Sequence, residues 1–383
     1  MPRLRVFFYV QHLLGIGHIK RAALLVEGWV KAGLEVTVVL GGEPVPQFDF
    51  QGARVIQLPP LKSRDADFSG LVDVQGREPD EAFRQRRCAM LISAFENEKP
   101  DILAIESYPF GRRQLRWELL PLLERASSRS IRPMIVSSVR DIVQGRRPER
   151  VRETLGLIDQ YFDAVLVHGD RRFLPFSASF PEAHLIERKL VYTGYVTGSQ
   201  TSTGTTDLGR GEVIVSAGGG AVGFRLMDAA LRARAKTTLS DVTWRCLVGP
   251  NLPREHLEQL ESLRAPNVII EPVRRDFPEL LTNCQVSISQ GGYNTMMDLL
   301  GVHTPAVVVP FEGEGETEQL ERSRRLAALN RCVVVREQVL DPDALAAAVD
   351  QSLGLKPDEV QIDLDGAEKS AGLLVERWEA LRG

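Results

Sequence analysis

Cysteine is scarce in this chain: four in 383 residues, Cys88, Cys246, Cys284 and Cys332, far apart and without histidines at metal-ligand spacing. That excludes a disulfide framework and argues against a zinc site, so buried thiols in a reducing cytoplasm are expected. No uninterrupted apolar run approaches the ~20 residues needed to span a bilayer. Arg5, Lys20 and Arg21 bracket only a short strand and a helix start, so neither a transmembrane nor a targeting segment is expected. The glycine run near the N-terminus lacks the third glycine of a dinucleotide fingerprint, since Gly15-Ile16-Gly17 is followed by His18-Ile19-Lys20. A nicotinamide cofactor is therefore not expected. Excess positive charge is missing as well. The net charge of −4 divides unevenly: residues 1–196 carry 28 Lys and Arg against 24 Asp and Glu, and the remainder 19 against 27. The second half is too acidic for nucleic acid, and the first is the better host for an anionic acceptor or an anionic membrane surface. There Arg129, Arg132, Arg140, Arg146, Arg147, Arg150 and Arg152 are opposed only by Asp141 and Glu149, against the plainer reading of a solvated helix face.

What is present is an alternation, from end to end, of short β-branched runs with helical stretches, the pattern of parallel sheets covered by helices on both faces. The length suits two domains. A Ser-, Thr- and Gly-rich segment without apolar periodicity, Thr197 to Gly211, reads as a linker. The expected organisation is an α/β chain with two Rossmann-like doubly wound parallel sheets: 1–196 for the acceptor, 197–211 as linker and 212–365 for a donor, with a helix at 366–383. Two such sheets are expected to face one another across a cleft at their strand C-terminal edges, where ligands bind in open α/β folds.

The most informative stretch is Gly291-Gly292-Tyr293-Asn294-Thr295-Met296-Met297-Asp298, between a buried strand and the first turn of a helix. Unpaired N–H groups and the positive dipole end there suit a phosphate. Asp298, four positions past Asn294, lies one turn further on the same face and suits a ribose. A glycine-rich turn without ligand is the competing reading. The next strand ends at Pro310, and its loop closes on Glu318-Gln319 at another helix start. Gly218, Gly219 and Gly220 form a second phosphate-friendly turn, and Val273 and Arg274 follow a strand where a nucleobase edge could meet backbone.

In the first half, His18 follows the Gly15–Gly17 turn at a helix N-terminus, where the dipole keeps an imidazole neutral and able to act as a base. Glu106 closes one strand and Asp141 follows another. Either could orient the ring, with Glu106 preferred, and capping or pairing with Arg112, Arg113 or Arg140 is the alternative for both.

These residues resemble the two-domain nucleotide-sugar glycosyltransferases of GT-B architecture, most closely the bacterial lipid-carrier N-acetylglucosaminyltransferases of peptidoglycan synthesis and their uncharacterised relatives. The second half also resembles the donor box of plant secondary-product glycosyltransferases: Gln290 stands at its His, Gly292 and Asn294 match, and Tyr293, Thr295 and Asp298 replace Trp, Ser and Glu. Pro305, Pro310 and Glu318-Gln319 keep the later order. The resemblance implies phosphate contact by Asn294 and Thr295, ribose contact by Asp298 and sugar hydroxyl contact by Glu318 and Gln319. It further implies that His18, behind Gly15 and Gly17, takes a proton from the acceptor. Arg140 and Asp141, at and after the end of their strand, are expected on the acceptor side. It departs at Leu13-Leu14, at Gln290, and at Glu312, Glu314 and Glu316, which crowd acid near the sugar pocket. In the family a C-terminal helix crosses back to the first domain.

The resulting expectation is an inverting, metal-independent transferase without a cofactor, moving a sugar from a nucleoside diphosphate sugar, UDP-linked by resemblance, to an acceptor hydroxyl. No Asp-x-Asp metal motif stands in a suitable place. The acceptor is open, an anionic or lipid-linked one at a membrane periphery included. A nucleotide-sugar hydrolase is the second reading, because Gly17-His18-Ile19-Lys20-Arg21 also resembles a G-H-x-x-R loop of such enzymes, with an epimerase further off. A non-catalytic nucleotide-sugar sensor is the third.

Overall fold

The computed structural model describes residues 3–13, 17–46, 48–65, 70–144, 147–198, 207–217, 223–250, 252–274, 276–313 and 317–383. The chain forms two compact units, Met1–Gly198 with Asp363–Gly383, and Ser199–Ile362.

The first unit contains β1 (Arg5–Val10), β2 (Glu35–Leu40), β3 (Arg54–Gln57), β4 (Lys62–Ser63), β5 (Leu71–Val72), β6 (Ile102–Glu106), β7 (Met134–Arg140), β8 (Ala164–His168) and β9 (Leu190–Tyr192). Between them run α1 (Gly17–Lys31), α2 (Glu81–Glu98), α3 (Arg116–Ser127) and α4 (Pro148–Tyr161). Seven strands make one sheet in the order β3-β2-β1-β6-β7-β8-β9, every pairing parallel. A parallel sheet covered on both faces needs strands apolar on both sides, which is why β1 reads Val-Phe-Phe-Tyr-Val without alternation. Phe7 and Tyr9 enter the core on one face, and Val6, Phe8 and Val10 the core on the other. The two-residue strands β4 and β5 pair antiparallel outside the sheet, too short to leave a periodic signal.

The second unit repeats the plan with β10 (Val213–Ser216), β11 (Trp244–Val248), β12 (Val268–Pro272), β13 (Val286–Gln290), β14 (Ala306–Val309) and β15 (Val333–Val334). Its helices are α5 (Phe224–Ala233), α6 (Arg254–Ser262), α7 (Phe277–Asn283), α8 (Tyr293–Leu300), α9 (Glu318–Ala328) and α10 (Pro342–Ser352). The strand order is β12-β11-β10-β13-β14-β15, again all parallel. Strands β7 and β13 run further than their apolar stretches, to Arg140 and Gln290. Backbone pairing with His168 and Val309 continues past the point where side chains turn polar.

The last helix, α11 (Gly366–Ala380), completes the first unit. It lies against α1, where Leu374 and Ala371 are buried and Trp29 Nε1 donates to Ser370 Oγ at 2.8 Å. The helices approach closely because Gly28 has no side chain: a Cβ there would stand 2.6 Å from the carbonyl oxygen of Ala367. Leading into α11, Tyr195 N donates to Asp363 O at 2.7 Å and Gly366 N to Tyr195 O at 3.0 Å. Cys246, Cys284 and Cys332 are buried free thiols, and desolvation pushes each up to about 12.

Each sheet reverses its strand order at one place, between β1 and β6 and between β10 and β13. There the chains leaving neighbouring strands diverge to opposite faces and open a crevice at the strand C-termini. His18 and Glu106 stand at the first such point, and Gly291 with the start of α8 at the second.

Candidate functional site

In the first unit, β1 delivers the chain to α1, whose second residue is His18, and β6 ends on Glu106. His18 Nδ1 lies 2.6 Å from Glu106 Oε1, and the imidazole retains about one-fifth of its side-chain exposure while the carboxylate has 1%. Arg21 Nη2 reaches the same oxygen at 2.6 Å, Ser107 Oγ donates to it at 2.7 Å, and Arg112 Nη2 faces Oε2 at 3.4 Å. Burial opposes the charge on Glu106, yet His18, Arg112 and Arg21 outweigh it and hold the carboxyl below the usual carboxylate range. Burial likewise lowers the His18 pKa, against the pull of Glu106 and with the help of Arg112 and Arg140. An ionised carboxylate only accepts, so Nδ1 carries the hydrogen and Nε2 keeps a lone pair.

Asp141 is engaged elsewhere: Tyr195 Oη donates to its Oδ2 at 2.8 Å, and Ile142 N to its Oδ1 at 2.9 Å. Arg140 is the last residue of β7, in register with His168, and its charge reaches His18. Gly17 opens α1. Gly15, together with Gly218, Gly219 and Gly220, lies outside the described residues.

A second buried network supports the β1 end from below. Arg87 on α2 and Glu118 on α3 pair at 2.7 Å with no exposure, and Tyr9 Oη donates to Glu118 at 2.5 Å. Arg87 also holds Gln11 Oε1 at 2.8 Å, and Gln11 Nε2 donates to His12 O at 2.8 Å and Leu61 O at 2.9 Å. The end of β1 and the residue after it are therefore held on the side from which the chain leads to α1 and His18. Of the charged residues in these two networks, the sequence offers Arg112 as a partner for Glu106, and Arg21 stands in the G-H-x-x-R resemblance at i,i+3 from His18 on one helix face. Arg87 and Glu118 were missed, and no local pattern pairs them.

In the second unit, Gly292 caps α8 with extended backbone and no side-chain cap, and the first helical bond is Met296 N to Gly292 O at 2.9 Å. The N–H groups of Tyr293, Asn294 and Thr295 thus have no helical acceptor. The N-cap is Gly292, and Asn294 stands within the first turn, half-buried like Thr295 and Asp298. Gln290 ends β13, half-buried beside them. Gly291 allows α9 to close on this turn, since a Cβ would meet Ser323 Oγ at 2.9 Å.

Glu318 and Gln319 open α9 beneath it. Gln319 Oε1 accepts from Phe311 N at 3.0 Å, which ties down the loop after β14 and leaves the amide NH2 to donate. Glu318 faces the buried Arg322 at 3.5 Å, whose guanidinium lies 5.0 Å from the centre of the Tyr293 ring. Glu312 adds no free acidity to this loop: Arg336 holds its carboxylate, which also accepts from Glu337 N at 3.1 Å, and its pKa is lowered. Glu314 and Glu316 lie outside the described residues. Val273 is exposed at its side chain but commits its N–H to Val248 O at 3.0 Å, and Arg274 is held by Asp276 at 2.7 Å and Glu271 at 3.4 Å. The structure thus brings Gln290, Gly291, Gly292, Asn294, Thr295, Glu318 and Gln319 around one helix start, and binds Arg274 to carboxylates of its own segment.

Two parallel α/β sheets, each with one switch point, give a two-Rossmann-like-domain GT-B fold, and known structures agree. The chain superposes over its full length on the calicheamicin glycosyltransferase CalG4, with a TM-score of 0.61, 16% identity and 96% of that chain covered. On Acinetobacter baumannii MurG it gives a TM-score of 0.63 at 12% identity, covering 97% of this chain and 99% of the other. Residues 214–363 match the glycosyltransferase family 28 C-terminal domain. Among curated relatives, the UDP-N-acetylglucosamine–N-acetylmuramyl-(pentapeptide) pyrophosphoryl-undecaprenol N-acetylglucosamine transferase of Prochlorococcus marinus (strain MIT 9303) is 29% identical over 151 residues, 39% of this chain and 40% of the relative. The chain thus spans less than half the length of that relative. Among the described residues no helix is long and apolar enough to cross a membrane.

Proposed function

We propose that this protein is a glycosyltransferase that moves a sugar from a nucleoside diphosphate sugar to an acceptor hydroxyl with inversion and without a metal. The observation that carries the reading is His18 Nδ1 2.6 Å from the buried Glu106 carboxylate, a pairing that puts the ring hydrogen on Nδ1 and makes Nε2 the base of this proposal. In this reading Nε2 removes the acceptor proton as the hydroxyl oxygen attacks the anomeric carbon, and the bond to the departing diphosphate breaks on the opposite face. The positive end of α8 and its first-turn N–H groups, with Asn294 and Thr295, take the charge that develops on the diphosphate, the work a metal would otherwise do. Asp298 accepts from the ribose, and Glu318 and the Gln319 amide meet sugar hydroxyls. The segment at Val273 and Arg274 borders the base.

The donor in the relatives' names, UDP-N-acetylglucosamine, is the first candidate. An anionic acceptor, a lipid-linked one at a membrane surface included, is the candidate on the other side, consistent with the balance of 28 Lys and Arg against 24 Asp and Glu in residues 1–196. The test is a thermal-shift panel of nucleoside diphosphates and their sugars, followed by product analysis with and without acceptors. A ligand at ~100 times its Kd stabilises by ~2.7 kcal/mol. Stabilisation by one nucleotide series and sugar transfer only with acceptor present support the proposal. Release of sugar in buffer alone would make the enzyme a hydrolase, and binding without turnover a sensor.

A further inference from the structure

Glu106 receives more donors than an orienting partner for His18 requires. Three converge on Oε1, from His18, Arg21 and Ser107, and Arg112 faces Oε2. Arg21 comes from α1, one turn beyond His18, and is 3% exposed. Arg112 arrives by a different route. The segment after β6 holds Ser107 at φ 65° and Arg112 at φ 61°, left-handed backbone that is strained for a non-glycine residue. Such strain persists only where the surroundings over-determine it, and it collects at functional sites. Here Tyr108 and Phe110 are buried, and the turn returns Arg112 so that its Nε donates to Gln11 O at 2.7 Å while its other arm faces Glu106. One guanidinium thus ties the end of β1 to the end of β6, the two strands that flank the switch point.

We propose that Arg21 and Arg112 are positioning residues that clamp Glu106 as a directed carboxylate, so that His18 keeps its hydrogen on Nδ1 and presents a bare Nε2. The proposal rests on the reading of His18 as the base. A carboxylate beside an imidazole selects the tautomer but also stabilises the imidazolium, and a ring already protonated cannot take a proton. Two cations on the same carboxylate cancel that second effect and leave the first. The charged and titratable groups that act on His18 are Glu106 from β6, Arg112 from the loop behind it, Arg21 from its own helix and Arg140 from β7. His168 on β8 senses both Arg21 and Glu106.

The full-length protein with 15N-labelled histidine rings provides the test. Its six histidines give resolvable ring spectra, with His18 assigned by its loss in His18→Gln. The parent is expected to show Nδ1 protonated and Nε2 bare at neutral pH. Removing a nearby cation favours the imidazolium, so Arg21→Met and Arg112→Met should each raise the His18 midpoint by about one pH unit or more. Arg21→Lys, which keeps the charge, should stay near the parent. Parental midpoints in both Met variants would overturn the clamp, and so would an Arg21→Lys shift as large as that of Arg21→Met. Circular dichroism melts identify variants that keep the fold, and if Arg21→Met does not, Arg112→Met decides by the same criterion. These spectra need no substrate, so they judge the clamp even if no transfer is found. With a donor and acceptor in hand, Arg21→Met should move the acid limb of the kcat–pH profile upward by the same amount as the His18 midpoint, while the donor KM stays within about twofold. A raised midpoint without a matching move of that limb would leave the clamp standing and remove His18 as the base.

Discussion

Trp29 and Ser370 are 341 positions apart in the chain, yet the indole N–H of one donates to the hydroxyl of the other at 2.8 Å inside the first unit. Trp29 has no exposure, so the indole N–H has no route to water. Ser370→Ala should leave that donor unsatisfied and cost ~1–3 kcal/mol. Urea unfolding followed by tryptophan fluorescence measures it. A loss below about 0.5 kcal/mol would mean that the helix pair relaxes around the vacancy.

His18→Ala is expected to reduce kcat by ~10²–10⁴, the usual worth of a positioned general base. Nucleotide affinity should stay within about twofold, because His18 belongs to the first unit and the α8 helix start to the second. Isothermal titration with the nucleotide, beside steady-state rates, checks both halves. A parallel loss of binding would assign His18 a structural part instead.

Asp298→Ala removes a carboxylate one turn along α8 from Asn294. A hydrogen bond to a charged group contributes ~1.5–3 kcal/mol, so the nucleotide Kd should rise ~10–100-fold. The corresponding 2′,3′-dideoxynucleotide should bind parent and variant alike. If the variant discriminates against it as strongly as the parent does, Asp298 does not touch the ribose.

His168 gives the first unit a dependence on pH. Its ring nitrogens meet Ser138 Oγ at 2.8 Å and Thr193 Oγ1 at 2.9 Å, and burial lowers its pKa to about 3. An unfolded histidine titrates near ~6.5. Above that value neither state is protonated and the stabilisation is complete. As pH falls from ~6.5 toward about 3, the unfolded chain takes up a proton that the folded one refuses. Stability should then fall by ~1.4 kcal/mol per pH unit for this one group. His168→Gln should flatten the plot of unfolding free energy against pH by about one proton over that window. Equal slopes in parent and variant would show that His168 titrates normally in the folded state.

Much of the architecture was readable because parallel strands covered on both faces must be apolar throughout. Ile102–Glu106 and Ala306–Val309 announce themselves as short β-branched runs that stop at a polar residue or a proline. The same logic found His18, Glu106 and the Gly291-Gly292 turn, since residues at strand ends and helix starts have few other places to go. Where polar residues continue a strand, as at Arg140 and Gln290, pairing with a neighbour decided the boundary, and no local pattern records a neighbour.

By its residue order alone the chain determined which segments become strands and helices, which faces are apolar, and that glycines and a histidine stand at helix starts. Those properties arise from backbone sterics and the period of a single segment. Tertiary structure alone decided that Arg21 and Arg112 share Glu106 with His18, that Arg87 buries its charge on Glu118, and that Trp29 meets Ser370. A periodic pattern states that a side chain points inward, and only the packed sheet brings it a partner from a distant segment. Buried charges and donors take whichever partner the fold places within hydrogen-bond reach.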